Sequence, residues 1–478
     1  MSNTGNLLDG KWPWHGTTDT KLEHVLRVMR HGNKEWDMEE ILGFPSMSPH
    51  PIGIHTFNQF QSLHTNTILT HTRGRGEKGF DGAKNLERDV IGMVGNLLGD
   101  NNVDGYITPG GTEANIMGLW IGREKLRSES GVPKPPIAVL ASPASHYSLW
   151  KTCNVLDFGE GEWSECSACV DWLHGKDEST GFKPDYVLHI FKPNQDGSGL
   201  HLVPCDRVGQ IDIQALERSI RSLYQYKGIR CFIIFANEGT TLTGAMDDTV
   251  AIGNLITNFR KEWGDKVNFY YHVDAAYGGL IYPFTQPDRI RALQVPEVNS
   301  VTVDPYKMGQ CPIAEGIFLC RKDYQKYIQR STGYVQEELD DTLCGSRSGA
   351  YAAACWAVFR HEGTEGFTRL HATAVDEAKY LHSRLENVAQ IELIPQQLNM
   401  VAFYLSRDLS RGILKIVHDE IVLKFLTMWS WFNTDPENHD IHPRRLMKCN
   451  ITRDVHREWV DSFVDTLGGI LGTKQNKS

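Results

Sequence analysis

The feature that most restricts the fold is an alternation of short apolar runs with amphipathic stretches, from Tyr106 to about residue 320. The strand-like runs are IAVLAS (137–142), YVLHIF (186–191), CFIIFA (231–236), NFYYHVDA (268–275), SVTV (300–303) and GIFLC (316–320). Helical stretches such as DIQALERSIRSLY and TVAIGNLITNFRKEW separate them. This alternation predicts an α/β fold with a mostly parallel sheet, and such sheets bind ligands at the carboxyl ends of their strands.

The texture of the sequence divides the chain into three parts. Residues 1–60 form an N-terminal segment rich in Trp, Pro, Gly and His, with one helix at about 20–30. Residues 61–330 contain the alternation and are predicted to form the large domain. Residues 331–478 contain a long helix, mixed segments and a last helix near 457–471, so we expect a smaller C-terminal α+β domain.

Composition argues against several classes of function. The 478 residues have a net charge of −10, which disfavours nucleic acid or an anionic membrane as a partner, because phosphate binding needs clustered Lys and Arg. No apolar run approaches the roughly 18 residues of a membrane span, and the start lacks a secretory layout. Ten cysteines without an export signal predict free thiols in a cytoplasmic protein. Cys166 and Cys169 have metal-like spacing, but without a second pair nearby no metal site is predicted.

Candidate binding residues follow two of the apolar segments. In YITPGGTEAN, Gly111 and Thr112 open a predicted helix, whose unpaired N–H groups and positive dipole end suit a phosphate. A plain N-capped helix would have the same pattern. In ASHYSLWK, His146 comes just after a strand, where its planar ring can stack on an aromatic ligand or simply form structural hydrogen bonds.

Two further candidates end neighbouring strands. Asp274 ends the run YYHVDA, and a carboxylate buried there needs a partner, whether a ligand, a salt bridge or a helix cap. Lys307 follows 33 residues later in SVTVDPYKMG, after the next strand, which leaves room for the helix of a parallel βαβ unit. A polar, Gly-rich segment, NEGTTLTGAMDD, follows another strand and has the composition of an active-site loop, although an ordinary loop would look the same.

Together these residues match the chemistry of pyridoxal 5′-phosphate. The helix start suits its phosphate, and His146 suits one face of its ring. Asp274 suits a protonated ring nitrogen, because an adjacent carboxylate favours the charged form. Lys307 suits the aldehyde, with which a lysine amine forms a Schiff base.

The motifs also resemble a known family. TPGGTEAN, SHYSLWK, GTTLTGAMDD, HVDAAYGG, SVTVDPYKMG and GSRSG occur in the order found in the group II pyridoxal-phosphate-dependent amino-acid decarboxylases, which have the aspartate aminotransferase fold (fold type I). The likeness runs from about Ser48 to the C-terminus. Through SPHPI, DPYKMG and RSGA the chain looks closest to the archaeal-type tyrosine/aspartate decarboxylases, and HYSLWK is similar to the serine and histidine decarboxylases.

The resemblance implies a role for each matching cofactor-binding residue. Lys307 would form the Schiff base, Asp274 would pair with the ring nitrogen, and His146 and Ala276 would lie on opposite faces of the ring. Gly111 and Thr112 would hold the phosphate, with Thr241 near the cofactor edge. Ser346, in GSRSG, would lie near the phosphate site of a neighbouring subunit, so a homodimer with shared active sites is implied.

The resemblance also implies catalytic and substrate-binding residues. Tyr334, in a predicted mobile loop, is the candidate acid that reprotonates the substrate Cα, although an ordinary loop tyrosine would look the same. Arg445 is preferred to Arg444 as the arginine near the substrate, and His50 is a further pocket candidate. One residue departs from the family, which usually has His before the lysine. Tyr306 stands there, and its bulkier, neutral phenol is expected to alter cofactor binding or the pocket.

The sequence therefore predicts decarboxylation of an L-amino acid to its amine and CO₂. An aromatic substrate such as tyrosine is favoured and aspartate is next. Decarboxylation of histidine, serine or glutamate is an alternative, as is a carbon–carbon lyase of the sphingosine-1-phosphate lyase type. A scaffold without catalysis is disfavoured, because Lys307, Asp274 and His146 are all present.

Overall fold

The computed structural model describes residues 18–31, 40–69, 78–165, 188–333, 339–438 and 440–474. Its α-helices are α1 (Asp19–His31), α2 (Pro51–Gln61), α3 (Asp81–Leu97), α4 (Gly111–Ser130), α5 (Ser148–Val155), α6 (Ile213–Tyr226), α7 (Thr249–Trp263), α8 (Tyr282–Thr285), α9 (Pro305–Met308), α10 (Gly349–Leu385), α11 (Arg411–Val417) and α12 (Arg457–Leu471). Its strands are β1 (Val103–Thr108), β2 (Ile137–Ala141), β3 (Glu162–Glu165), β4 (Leu188–Lys192), β5 (Gly199–Leu202), β6 (Cys231–Asn237), β7 (Asn268–Asp274), β8 (Ser300–Val303), β9 (Gly316–Arg321), β10 (Arg330–Ser331), β11 (Leu339–Asp340), β12 (Ile391–Leu393), β13 (Met400–Leu405), β14 (Met428–Phe432) and β15 (Arg444–Asn450).

A seven-stranded sheet with the order β1-β9-β8-β7-β6-β2-β5 forms the centre of the fold. Strands β5, β2, β6, β7 and β8 run parallel, whereas β9 is antiparallel to both β8 and β1. The predicted α/β class with a mostly parallel sheet is confirmed. The run at 186–191 was wrongly placed in this sheet, because β4 pairs with β3 in a separate hairpin and the short strand β5 takes the edge position.

Helices cover both faces of the large sheet, which explains why its strands are buried along almost their whole length rather than at alternate residues. Adjacent residues of β6 face opposite layers: Ile234 packs in the cluster that contains α6 and α7, and Ile233 packs in the cluster that contains α4 and α5. All seven residues of β6 are buried. Helix α4 can approach β7 closely because residue 118 is glycine: a Cβ there would lie 2.4 Å from Nδ1 of His272.

A second, four-stranded antiparallel sheet with the order β12-β13-β15-β14 lies in the C-terminal part of the chain. The residues of β15 alternate between two apolar clusters. Met447 and Cys449 pack in the cluster that contains α12, whereas Leu446 packs against Ala144 and Cys205, which follow strands of the large sheet. The second sheet therefore presents one face of β15 to the carboxyl end of the large sheet.

The long helix α10 is interrupted at Gly363, whose φ of 57° is in the left-handed region that favours glycine. The eight cysteines among the described residues form no disulfide. Within the same residues, no helix combines the length and hydropathy needed to cross a bilayer. The predicted domain boundaries at residues 60 and 330 stay predictions.

Candidate active site

A cavity of about 530 Å³ opens at the carboxyl end of the large sheet, where a parallel sheet is expected to bind its ligand. Eight residues singled out in the sequence line it together: Gly111, Thr112, His146, Thr241, Asp274, Ala276, Tyr306 and Lys307. They come from segments spread over two hundred positions of the chain, so the fold brings them together as the motif order implied.

The start of α4 forms one end of the cavity. Gly110 precedes the helix with a φ of 148°, which favours glycine, and its carbonyl accepts hydrogen bonds from the N–H groups of Glu113 and Ala114. A Cβ on Gly111 would lie 2.6 Å from Oδ1 of Asp304, so only glycine fits between the helix start and that carboxyl group. The first N–H groups of α4 and the Thr112 hydroxyl thus line a cradle whose dipole suits a phosphate.

Asp274 ends β7 and is held by two donors. Nδ2 of Asn115 donates to its Oδ2 at 2.9 Å, and the N–H of Ala276 donates to its Oδ1 at 3.0 Å. Because a carboxylate only accepts, Asn115 must present its amide nitrogen to Asp274. Its carbonyl oxygen then accepts from Nε2 of His272 at 3.0 Å, and Nδ1 of His272 accepts from the Ser300 hydroxyl at 2.7 Å. This chain of hydrogen bonds fixes the direction of the carboxylate from below the cavity.

The two histidines near Asp274 are neutral at physiological pH. Burial lowers the pKa of His272 to about 4, with only partial opposition from Asp274. Burial also lowers the pKa of His146 to about 4, and the positive charges of Lys307 and Lys448 act in the same direction. Nδ1 of His146 lies 3.0 Å from the Ser148 hydroxyl, which orients the ring. A neutral, oriented imidazole at the cavity wall suits stacking on an aromatic ligand.

Lys307 lies on the short helix α9, and its Nζ lies 2.9 Å from Oδ2 of Asp304. Burial disfavours the charge on Lys307, but the adjacent Asp304 and Tyr306 outweigh it, so the pKa of the amine is raised. Burial raises the pKa of Asp304, while Lys307 lowers it in part. Asp304 therefore serves as the counter-ion that keeps the lysine in place, three residues before it on the same turn.

A second lysine approaches the cavity from the other sheet. Lys448, in β15, is only 2% exposed, and its Nζ donates to the carbonyl oxygen of Thr241. It lies on the face of β15 that also carries Leu446 and that is turned towards the large sheet. Burial, and then the charge of Lys307, lower the pKa of Lys448 to about 7.

Three predicted site residues that the structure describes, His50, Ser346 and Arg445, do not line this cavity. His50 caps α2 and lies 3.3 Å from the Glu362 carboxylate, while the Ser346 hydroxyl accepts from Nδ2 of Asn66 at 3.2 Å. Arg445 lies on β15, with its guanidinium 4.3 Å from the ring centre of Trp429 and 4.2 Å from that of Trp431. Tyr334 lies outside the described residues, as does the Cys166 and Cys169 pair. The roles of these residues stay predictions.

Sequence reasoning missed Asn115, His272, Asp304 and Lys448. Asn115 and His272 lie within a helix and a strand, where a polar residue gives no sign of which face it occupies. Asp304 stood in the motif with Lys307, and its spacing of three residues on a helical turn was an available signal. Lys448 could have been found from the period of two along β15, which places it on the opposite face from Arg445.

These side chains fit pyridoxal phosphate on their chemistry. The structure offers an amine for an aldehyde, a glycine cradle at a helix start for a phosphate, and a fixed carboxylate for a ring nitrogen. Oδ1 of Asp304, which is buried and accepts no hydrogen bond among the described residues, faces that cradle. The fold and this set of side chains define a pyridoxal-phosphate enzyme of fold type I.

Comparisons with known proteins agree with this class. The profile of the pyridoxal-dependent decarboxylase conserved domain matches residues 195–406. A tryptophan decarboxylase from Clostridium sporogenes is 27% identical over 395 residues, which cover 78% of this chain and 82% of that protein. A probable L-tyrosine/L-aspartate decarboxylase from Methanothermobacter thermautotrophicus is 28% identical over 372 residues, which cover 76% of this chain and 82% of that protein.

A structural comparison gives the same result for the fold. Glutamate decarboxylase from Lactobacillus brevis superposes with a TM-score of 0.72 at 16% sequence identity, covering 96% of this chain and 93% of that chain. The chain therefore contains a pyridoxal-dependent decarboxylase conserved domain, and its cofactor is pyridoxal phosphate. The predicted family, cofactor and enzyme class are confirmed.

Proposed function

We propose that this enzyme decarboxylates an L-amino acid, with Lys307 as the residue that holds the cofactor. The observation that supports this role is the position of the Lys307 amine in a cavity that also contains Asp274, His146 and the start of α4. When bound, pyridoxal phosphate supplies an electron-accepting ring that stabilises negative charge at the substrate Cα after CO₂ leaves.

The residues of the chain would divide the remaining tasks. Gly111, Thr112 and the dipole of α4 would bind the phosphate, and His146 and Ala276 would enclose the ring between them. Asp274, oriented by Asn115, would hold a proton at the ring nitrogen, because a fixed carboxylate favours the protonated form. Tyr334 remains our candidate for returning a proton to Cα.

Two measurements test the role of Lys307. The purified protein should show the visible absorbance of a lysine-bound cofactor, and reduction with borohydride should fix the label on the peptide that contains Lys307. The Lys307→Ala variant should lose both signals, with Lys415→Met, an exposed lysine paired with Asp419, as the matched control. Retention of the label in Lys307→Ala would refute the assignment.

A screen of the proteinogenic amino acids for CO₂ release would identify the substrate. The sequence favoured aromatic amino acids, with aspartate next, and the names of the two relatives above include tryptophan, tyrosine and aspartate. If the protein releases CO₂ from no aromatic or acidic amino acid, this result would count against the proposed function.

We further propose a homodimer with shared active sites. It is supported by His50 and Ser346, which the family resemblance assigns to the site but which do not line the cavity of their own chain. A hybrid of Lys307→Ala and His50→Gln subunits tests this. If sites are shared, one of its two sites contains both native residues, so mixing two inactive variants restores activity. If each site uses one chain only, the mixture stays inactive.

A further inference from the structure

Lys448 has an environment that the reaction described so far does not use. It is a buried amine whose Nζ donates to the Thr241 carbonyl, and among the described residues it forms no ion pair with a carboxylate. A buried ammonium without a counter-ion is costly, so an anion that arrives from outside the chain would stabilise its charge. Thr241 lines the cavity, which is therefore the direction from which that anion would come.

The charges around Lys448 favour an incoming anion. The positive charge of Lys307, on α9, lowers the pKa of Lys448. The charges of both lysines also lower the pKa of His146. The three carboxylates of the cavity are already engaged: Asp274 by Asn115 and Ala276, Asp304 by Lys307, and Glu113 by the Tyr106 hydroxyl. None of them forms an ion pair with Lys448, so a carboxylate of the substrate is the natural partner.

We propose that Lys448 is a specificity-determining residue that binds the side-chain carboxylate of the substrate, so that amino acids with two carboxylates, of the aspartate or glutamate type, are preferred. This inference rests on the proposed decarboxylase function. It reverses the order of substrates that the sequence favoured, because the structure places a lysine of the second sheet against the backbone of Thr241, which lines the cavity.

The side-chain carboxylate fits this role better than the α-carboxylate. The charge of the α-carboxylate leaves that group as CO₂ forms, so an ammonium fixed on it would stabilise the ground state more than the transition state and slow the reaction. The charge of a side-chain carboxylate persists throughout. Lys448 would then contribute binding energy without opposing the loss of CO₂.

A first experiment measures binding without turnover. Succinate and 3-phenylpropionate, which carry two carboxylates and one, are titrated calorimetrically into the cofactor-bound protein in buffers of different ionisation enthalpy. Because burial lowers the pKa of Lys448 to about 7, the protein should take up more protons with succinate at pH 8 than at pH 6. His146, with a pKa of about 4, stays neutral over this range, and burial keeps the Cys449 thiol protonated by raising its pKa.

Lys448→Met should abolish this proton uptake and weaken succinate at least tenfold, whereas Lys448→Arg, which keeps the charge, should retain succinate binding. The exposed Lys415→Met should behave as wild type. Equal succinate binding by Lys448→Met and the wild type, or no proton uptake at pH 8, would overturn the proposal.

A second experiment measures specificity. Lys448→Met should lower kcat/KM for aspartate or glutamate roughly 100-fold, mainly through KM, and leave turnover of an aromatic amino acid within about threefold. An equal loss for both classes, or a wild type that acts on aromatic amino acids alone, would overturn the assignment. If the wild type releases CO₂ from no amino acid, the proposed function fails, and the succinate measurement still decides the role of Lys448.

Discussion

Gly118 offers a direct test of how the fold positions Asp274. In Gly118→Ala the new Cβ would lie 2.4 Å from Nδ1 and 2.5 Å from Cε1 of His272, whereas carbon contacts are ordinarily about 3.5–4 Å. The ring cannot turn aside, because it is fully buried and both of its nitrogens are hydrogen-bonded. Helix α4 must therefore move away from β7 by about 1 Å.

The cost of this movement divides between stability and cofactor binding. Overpacking should lower the free energy of unfolding by about 1–3 kcal/mol. The better helix propensity of alanine should offset up to about 1 kcal/mol of this loss. The 3.0 Å hydrogen bond between His272 and Asn115 would stretch beyond hydrogen-bond range, so Asn115 would no longer hold Asp274 in place. We expect the dissociation constant of the cofactor to rise about tenfold and the free energy of unfolding to fall by about 1–2 kcal/mol.

Titration of cofactor into the cofactor-free protein, followed by absorbance, measures the first effect, and thermal unfolding measures the second. Gly92→Ala, in α3, is the matched control, because nothing lies within 4 Å of its added Cβ, and it should gain about 0.5–1 kcal/mol. If Gly118→Ala binds cofactor as tightly as the wild type and unfolds no earlier than Gly92→Ala, the reasoning is wrong.

Three further predictions concern buried charges. Burial raises the pKa of Glu238 from 4.5 to about 7, so the folded protein keeps a proton that the unfolded chain releases, and stability falls as pH rises through this window. Glu238→Gln should reduce this fall in stability between pH 5 and pH 8 by up to about 3 kcal/mol, which unfolding temperatures at the two pH values measure. At saturating cofactor, Asp274→Asn should slow CO₂ release roughly 100-fold or more, measured as single-turnover rates. Arg347→Met removes the guanidinium 3.6 Å from the buried Glu87 carboxylate and should cost about 3 kcal/mol in thermal unfolding, part of which Glu87→Gln should restore.

The sequence predicted what depends on local pattern. The ends of strands are visible in the sequence as apolar runs that stop at polar residues. The sequence alone therefore predicted that Asp274 and Lys307 lie at one edge of a sheet. Strand β5 escaped notice because its four residues include Gly199 and His201, and Gly197 lies two positions before it. The run at 186–191 has the same texture as a core strand, and only the pairing of β4 with β3 separates it from the sheet.

The parts of the site that the sequence did not predict depend on which face of a helix or strand each residue occupies. Arg445 and Lys448 are three positions apart, so in a strand they point to opposite sides, and a motif read as a string of letters does not distinguish them. Asn115 is a buried polar residue of α4 and His272 is a buried polar residue of β7, and the two form a hydrogen bond between these elements. Contacts between residues that are distant in the sequence are determined by tertiary packing, which the local sequence does not predict.

The pairing of β1 with β9, in which Val103 lies opposite Arg321, has a consequence for how the enzyme is made. The cradle at α4 follows β1 and Lys307 precedes β9, so the two halves of the cofactor site meet only when these distant segments pair. Such non-local pairing is slow, because the entropy of closing a long loop is lost before the contacts form. During synthesis, residue 321 must leave the ribosome before a site exists. Cofactor supply should therefore protect finished molecules by slowing their unfolding, and should leave the rate at which new chains fold unchanged.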